Sequence, residues 1–427
     1  MGVNDLVFIA AGLILLACVI LFTKPGRKVG RLIKWTILEA VFFSMWLLPR
    51  DKKLIAFGSE FGFCGNPKYL LEALGKYPVY RGVWIAKDRD VYDRVKKAGY
   101  EVCMCDSREG RRVQLRAATL IHSHTIKDDF NYLLVGGATA VNVWHGVGLK
   151  RSWYRNRMSF AGKWMAAPAS PARSLCLLWD RTDLARENYF IGTSETVDAY
   201  YPATYHVPAD HVLMLGQARN DVFYRTSPEE AWLPECLRRG KVVAYLPTHR
   251  DYGEKRGNRE SVGADIDYAG LSELLGRYGY TLVVKQHSFN AHAQAAGGGF
   301  PNIVDLSRLD HELDTQLILK HTDILITDYS SVYTDFLLLD RPMIFYCYDL
   351  EQYLQKWELN FDYDAVTPGP KAFDCRQLTE ELEKLLQGRD GYEAERRRVK
   401  RIFYAPANQG PVAEKQIDYI IGRIIGP

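Results

Sequence analysis

Residues 326–370 read ITDYSSVYTDFLLLDRPMIFYCYDLEQYLQKWELNFDYDAVTPGP, and their pattern decides the fold. A short apolar strand, Asp323 to Thr327, stops at Asp328-Tyr329-Ser330-Ser331. A helical pattern follows at once, with Val332, Phe336 and Leu339 on one face, and then a second apolar strand, Met343 to Tyr348. Strand, polar turn, helix, strand is one βαβ unit of a parallel sheet. In such units ligands collect at the carboxyl ends of the strands, against the first turn of the helix. Unpaired backbone N–H groups and the positive end of the helix dipole suit an anionic phosphate there. Ser330 and Ser331 would add two hydroxyl donors, although Ser330 also suits a plain helix cap, and the residues alone leave both readings open.

Working outward, the same alternation recurs on both sides. Lys53–Gly58, Tyr80–Ala86, Glu101–Cys105, Thr119–His124 and Ala140–Trp144 are expected strands, interleaved with helices at Asn66–Tyr77, Asp90–Gly99 and Arg108–Ala118. After Lys150 a Trp-, Arg- and Met-rich stretch without period predicts an irregular helical insert to Asn188, followed by a βαβ unit through Phe190–Thr193 and Val212–Gly216. A second alternating half starts after Pro234, with strands Lys241–Leu246, Tyr280–Lys285 and Asn302–Leu306 and helices Asp267–Gly279 and Asp310–Lys320. The tail, Gln377–Gln387 and Tyr392–Ile425, reads as helical and basic. This rhythm predicts an α/β protein of two Rossmann-like domains facing a cleft. The expected divisions are 1–50 for a membrane-associated leader, 51–233 for the first domain and 234–427 for the second, whose last helix crosses back.

The leader is defined by Leu6 to Phe22, 17 residues without a charge, at the short end of what crosses a hydrocarbon core. Asp5 is the only charged side chain before the run, whereas Lys24, Arg27, Lys28, Arg31 and Lys34 follow it. A cleaved signal peptide wants the opposite order, so an uncleaved transmembrane anchor with cytoplasmic catalytic domains is expected at the cell membrane. Trp35–Leu48 is a second apolar stretch, interrupted by Glu39, and fits either an interfacial helix or a core helix. A net charge of +4 over 427 residues gives no argument for nucleic acid. The eight scattered cysteines read as reduced thiols, and Cys103-x-Cys105 lacks the second pair that zinc needs.

Four polar clusters fall just past expected strands: Trp144-His145-Gly146, Pro247-Thr248-His249-Arg250, Lys285-Gln286-His287 and Asp328 to Ser331. Lys285 and Arg250 would supply positive charge without a metal, and the two serines hydroxyls, a set that suits a diphosphate whose leaving phosphate gains charge. A histidine near neutral pKa in the same cleft suits a general base. His122 and His124 alternate on one strand, but no third metal ligand is placed beside them, and Asp88-Arg89-Asp90 is expected to start a helix. Neither G-x-x-x-x-G-K-[ST] nor G-x-G-x-x-G occurs, which counts against an NTPase and a dinucleotide enzyme.

On these residues the chain resembles a known family. ITDYSSVYTDFLLLDRPMIFYCYDL with the later FDYD and PGP is similar to the hallmark of the CDP-glycerol glycerophosphotransferases of teichoic acid and capsule synthesis. NPKYLLEAL (66–74), VWHGVGLKR (143–151), LGQARND (215–221), LPTHR (246–250) and KQH (285–287) extend the resemblance from about Lys52 to the C-terminus. It implies a GT-B type fold with the donor, CDP-glycerol, held mainly by the second domain, and the residues themselves call for no further cofactor or metal. It implies His145 as base, His287 facing the diphosphate, and donor binding by Arg219, Thr248, Lys285, Ser330, Ser331 and Asp335, with Trp144, Gly146, His249 and Arg250 as further substrate-binding candidates. The implied reaction moves glycerol phosphate to a hydroxyl of a lipid-linked acceptor, of the undecaprenyl diphosphate kind, and releases CMP. A nucleotide-sugar glycosyltransferase on the same fold and a CDP-ribitol enzyme are the alternatives. The chain departs from the family pattern at Val147-Gly148, Ala218, His249, Ser288 and Gln409-Gly410, none of which removes an implied catalytic group.

Overall fold

The computed structural model describes residues 24–426 apart from 153–154, 156–169, 171–186, 206, 249–265, 286–298 and 308–312. The apolar run 6–22 and most of the expected helical insert lie outside the described residues. Among the described residues no helix is long and apolar enough to cross a membrane.

The first domain is built on β1 (Asp51–Gly58), β2 (Arg81–Ala86), β3 (Val102–Met104), β4 (Ala117–His122), β5 (Thr139–Asn142), β6 (Glu187–Gly192) and β7 (Val212–Met214). They form one parallel sheet in the order β3-β2-β1-β4-β5-β6-β7. The second domain carries β8 (Lys241–Tyr245), β9 (Tyr280–Val284), β10 (Ile303–Asp305), β11 (Ile324–Thr327), β12 (Met343–Tyr346) and β13 (Lys371–Ala372), parallel in the order β10-β9-β8-β11-β12-β13. The strand order of each sheet reverses once, between β1 and β4 and between β8 and β11, and these switch points are where doubly wound folds bind ligands. Helices cover both faces of the sheets, so β11 and β12 are buried along their whole length. That explains their unbroken apolar sequences.

The helices that matter below are α1 (Lys24–Ser44), α2 (Gly65–Leu74), α3 (Arg89–Lys97), α4 (Arg108–Arg116), α5 (Tyr268–Tyr278), α6 (Thr315–Lys320), α7 (Val332–Phe336), α8 (Leu350–Lys356), α9 (Cys375–Leu386), α10 (Glu393–Phe403) and α11 (Ala413–Tyr419). Asp88 caps α3 by accepting from the Val91 N–H at 2.7 Å, which accounts for the Asp-Arg-Asp triplet. The tail is not continuously helical. Between α10 and α11 the chain passes through Pro406 and Pro411 and crosses onto the first domain. There Ala405 N–H donates to the Thr193 carbonyl at 2.9 Å, and Asp221 accepts from the Val412 and Ala413 N–H groups at 2.7 and 2.9 Å. One apolar core runs through the junction, joining Val147 and Leu149 of the first domain to Tyr333, Phe336, Phe403 and Ile417.

Of the two readings for residues 35–48, the core helix is not what forms. Phe42 is buried against Gly136 and Tyr132, whereas Ile33, Ile37, Val41, Phe43, Trp46, Leu47 and Leu48 are exposed. The foot of this helix is clasped by Arg50, which donates to the carbonyls of Gln114, Ala117 and Leu134 at 3.0, 2.9 and 3.2 Å.

Candidate active site

β5 ends at Asn142, whose side chain turns the chain: Oδ1 accepts from the Trp144 N–H at 2.9 Å, and Nδ2 donates to the His124 carbonyl at 2.7 Å. Trp144 then takes φ +51°, a left-handed conformation rare for a bulky residue, and Gly146 takes φ +130°. Asn66 at the start of α2 holds this turn, donating to the carbonyls of Val143 and Trp144 at 2.8 and 2.9 Å and accepting from the Arg219 N–H at 2.9 Å. The strained turn lifts the His145 ring to the junction of the two domains. There Trp144 covers it at 4.1 Å between centroids, Phe61 meets it edge-on at 5.7 Å, and the His124 ring stacks on it at 4.4 Å and 13°.

His145 Nδ1 lies 3.0 Å from the Ser123 carbonyl oxygen. A carbonyl only accepts, so Nδ1 carries the proton and Nε2 keeps its lone pair. Burial, then His124 and the Arg219 guanidinium, push the imidazolium down to about 3, against the opposing pull of the Ser123 carbonyl and Asp129. The near-neutral value expected from the sequence is therefore corrected downward. The ring is a neutral acceptor at physiological pH, and an anionic ligand beside it raises its basicity.

The second domain comes within a residue of this ring. A Cβ on Gly146 would lie 2.4 Å from Arg219 Nη2 and 3.2 Å from Ser331 Oγ, so glycine is required for the approach. Ser331 precedes α7 without making a side-chain cap bond, and Ser330 Oγ is 3.4 Å from the Val332 N–H. The capping reading of Ser330 thus rests on one long bond, and both serine side chains are half-buried past the end of β11. Their turn is pinned from behind. The Tyr329 ring stacks on Tyr353 at 3.7 Å, its hydroxyl donates to Asp349 at 3.0 Å, and the Tyr363 hydroxyl donates to the Asp328 carbonyl at 3.1 Å. Thr248, past β8, donates from its N–H and hydroxyl to Asp328 Oδ1 at 2.9 and 2.6 Å, which laces the two switch-point strands together. Lys285, past β9, donates to Thr315 Oγ1 at the start of α6 at 3.1 Å. His249, Arg250 and His287 lie outside the described residues.

Asp335 stands differently from its expected donor contact. It has no exposed surface, and its carboxylate accepts from Asn220 Nδ2 at 2.8 Å, Gln316 Nε2 at 2.9 Å, the Tyr404 hydroxyl at 2.6 Å and Arg219 Nη2. Four donors saturate it, and its place on the inner face of α7 makes it the hub of an interdomain latch. Arg219 is the latch's outer arm: Nη1 donates to the His145 carbonyl at 2.5 Å. A second clasp holds the chain after His145. Thr334 Oγ1 donates to the Val147 carbonyl at 3.2 Å, and the Arg151 and Asn360 N–H groups pair with the Glu358 and Leu149 carbonyls at 2.8 Å each. His122 and His124 do not sit side by side on a strand. β4 stops at His122, and both rings gather at the buried Asp129 carboxylate, 3.4 and 3.7 Å away.

Residues 40–422 match the family model described as CDP-Glycerol:Poly(glycerophosphate) glycerophosphotransferase. The chain belongs to this family. The teichoic acid poly(glycerol phosphate) polymerase of Staphylococcus epidermidis is 27% identical over 358 residues, 81% of this chain and 47% of that protein. The teichoic acid glycerol-phosphate transferase of Staphylococcus aureus is 25% identical over 366 residues, 83% of this chain and 90% of that protein. The teichoic acid ribitol-phosphate primase of Bacillus spizizenii is 28% identical over 242 residues, 55% of this chain and 59% of that protein. The chain spans about half the length of the first of these relatives. A solved structure of the wall teichoic acid polymerase TagF superposes with a TM-score of 0.70 at 24% identity, covering 92% of this chain and 96% of that one, a likeness of fold. Within the family frame, Asn66, Asp129, Asn220, Gln316 and Tyr404 are site-building residues that motif reading passed over. The signal for three of them was adjacency: Asn66 opens NPKYLLEAL, Asn220 sits in LGQARND, and Asp129 follows His124 by five residues.

Proposed function

We propose that the chain transfers glycerol phosphate from CDP-glycerol to a hydroxyl of a lipid-linked acceptor and releases CMP. The observation that carries this reading is the 3.0 Å contact of His145 Nδ1 with the Ser123 carbonyl, which leaves Nε2 to accept, on a loop whose Gly146 lies beside Ser331. A base past the end of β5 and a phosphate-binding hydroxyl pair at the β8/β11 switch point of the facing domain suit in-line phosphoryl-group transfer. The acceptor oxygen bonds to the phosphorus that carries glycerol as the bond from that phosphorus to the CMP oxygen breaks. The acceptor's proton passes to His145 Nε2, and the freed phosphate of CMP keeps the bonding electrons. Ser330, Ser331, Lys285 and Thr248 hold the diphosphate in this reading. His287, His249 and Arg250 join them on the strength of their motifs, and Arg219 acts by fixing the His145 loop.

The lipid part of the acceptor fits the open side of α1. The exposed apolar side chains of α1 and of the turn after it, Leu47 foremost at 86%, adjoin a hollow of about 610 Å³ that Leu48, Pro49, Asp106, Leu115 and the arginines Arg108, Arg111, Arg112 and Arg116 line. Apolar residues beside arginines that make no ion pair among the described residues suit the surface of an anionic bilayer and support peripheral attachment there. The test is CMP release by the full chain with a lipid-linked acceptor. CDP-glycerol should support it. Turnover with CDP-ribitol alone would move the reading to the ribitol branch, and turnover with a UDP-sugar alone would replace it by a glycosyltransferase.

A further inference from the structure

His145 is described above as the base, but what holds its ring is a second histidine. The His124 imidazole lies face to face with it, centroids 4.4 Å apart and planes 13° from parallel. His124 is itself immobilised from its backbone. The Asp129 carboxylate, 1% exposed, accepts from the N–H groups of Ser123 and His124 at 2.9 and 2.8 Å and from the Glu60 N–H at 2.6 Å. The Ser123 carbonyl between them is the acceptor for His145 Nδ1. One carboxylate thus fixes both the stacking ring and the atom that selects the tautomer. Burial by itself pushes the Asp129 carboxyl up, but His122, His124 and the backbone donors hold it below its ordinary value, so it stays an anion in this role.

His124 Nε2 is buried and has no hydrogen-bond partner among the described residues. A histidine kept for the fold alone generally satisfies its ring nitrogens. His124 Nδ1 meets the Ser123 hydroxyl at 3.0 Å, and the face of the ring is turned to His145, with the Phe61 ring beside the stacked pair, 4.2 Å from His124 and 5.7 Å from His145.

We propose that His124 is a positioning residue for the transfer, setting the plane of His145 and preserving its neutral, Nε2-accepting form. The proposal rests on the reading of His145 as base given above. The charged and titratable groups that face His145 are His124 with His122 and Asp129 behind it, from the end of β4 and the segment after it, and Arg219 from the turn Ala218–Tyr224. Burial is the main cause that keeps the His145 ring neutral and His124 the next. Removing His124 opens the ring to water and takes away a repelling neighbour, and both changes raise its pKa.

Two measurements test this on the full chain. In steady-state CMP release, His124→Ala should lower kcat by about 10- to 100-fold, the cost of a misaligned reactive group, with KM for CDP-glycerol within about twofold. His124→Phe, which keeps a flat ring over His145, should recover most of that loss. In the second, carbethoxylation of His145 by diethyl pyrocarbonate is followed peptide by peptide across pH, since only the neutral imidazole reacts. The wild-type rate should be flat between pH 5 and 8, whereas in His124→Ala it should fall at least about threefold between pH 7 and 5.5. A folded His124→Ala protein with wild-type kcat, or with a flat His145 profile, overturns the proposal. Should the alanine variant not fold, His124→Phe decides: a kcat within about threefold of wild type supports positioning, and a loss as deep as that of His145→Ala refutes it. Absence of CMP release by the wild type refutes the donor reading alone, because the carbethoxylation profile needs no substrate.

Discussion

Arg219 and His145 are joined through the main chain: the guanidinium Nη1 donates to the His145 carbonyl at 2.5 Å, while Nη2 of the same group pairs with Asp335 in the second domain. The position of the proposed base therefore depends on a carboxylate that never meets solvent. A donor-binding role for Asp335 would leave its oxygens available, and here four side chains have claimed them.

The first prediction follows from that latch. Asp335→Ala leaves the Arg219 guanidinium, 12% exposed, without its counter-charge. Breaking a buried pair on one side costs roughly 3–5 kcal/mol. Urea unfolding should show a loss of that size, and CMP release should drop in the folded fraction because the His145 carbonyl loses its anchor. Affinity for CDP-glycerol, measured calorimetrically on Asp335→Asn, should stay within about twofold of wild type, whereas a direct donor contact predicts a deep loss.

The βαβ unit around residue 330 was legible because apolar runs four residues long, cut by polar turns, have few other solutions in a chain of this size. His145, Lys285 and Ser331 could be named as candidates for the same reason: each lies within a few residues past the end of a strand. The supports were not. Asn66 reaches Gln217, 151 positions away, and Tyr404 reaches Asp335, 69 positions away. No periodicity records such pairs. Family resemblance marked Asp335 as a residue that matters but could not say which way a helical turn would aim it. The two-residue spacing of His122 and His124 suggested a shared strand face, yet the strand ended between them, and a carboxylate seven residues beyond the first gathered both rings.

The proposed donor site yields a second prediction. Ser331 Oγ makes no cap bond and stands beside Gly146. Ser331→Ala and Lys285→Ala should each weaken CDP-glycerol binding by roughly 1–3 kcal/mol, the range for a hydrogen bond to a charged group. Melting temperature should hardly change for Ser331→Ala, whose hydroxyl serves no helix. Unaltered donor affinity in the folded double variant would remove these residues from the diphosphate site.

Asp198 gives a third, on stability and pH. Burial pushes its carboxyl up to about 6, although the Thr193 and Ser194 N–H groups pull the other way. The unfolded chain ionises near 3.9. Below that value both states are protonated. Between about 4 and 6 the folded protein holds a proton that the unfolded chain has released, so stability falls as pH rises through this window. Asp198→Asn should therefore stabilise the protein at pH 7.5 by about 1–3 kcal/mol, with the gain fading towards pH 4. Denaturant midpoints of both proteins at pH 4.5 and 7.5 check the sign, and an equal shift at both values would mean the carboxyl titrates normally.

The last prediction concerns the base itself. His145 Nδ1 is committed to the Ser123 carbonyl, and burial with His124 and Arg219 holds the free imidazole neutral down to about pH 3. Its protonation cannot then produce an acid limb near pH 6.5 in kcat/KM, which reports the free enzyme, so that profile should lack the usual histidine inflection. The profile of kcat is different. With the donor's diphosphate beside the ring, the negative charge raises the His145 pKa, and an acid limb should appear above pH 3. His145→Ala removes the proton acceptor and should cost about 10²–10⁴-fold in kcat. Donor affinity should survive, because the residues proposed to hold the diphosphate are on the other domain. His145→Gln would still offer a hydrogen-bonding side chain to the acceptor but cannot take its proton, so its kcat should remain close to that of the alanine variant. A glutamine variant that regains most of the wild-type rate would mean that His145 binds the acceptor rather than deprotonating it.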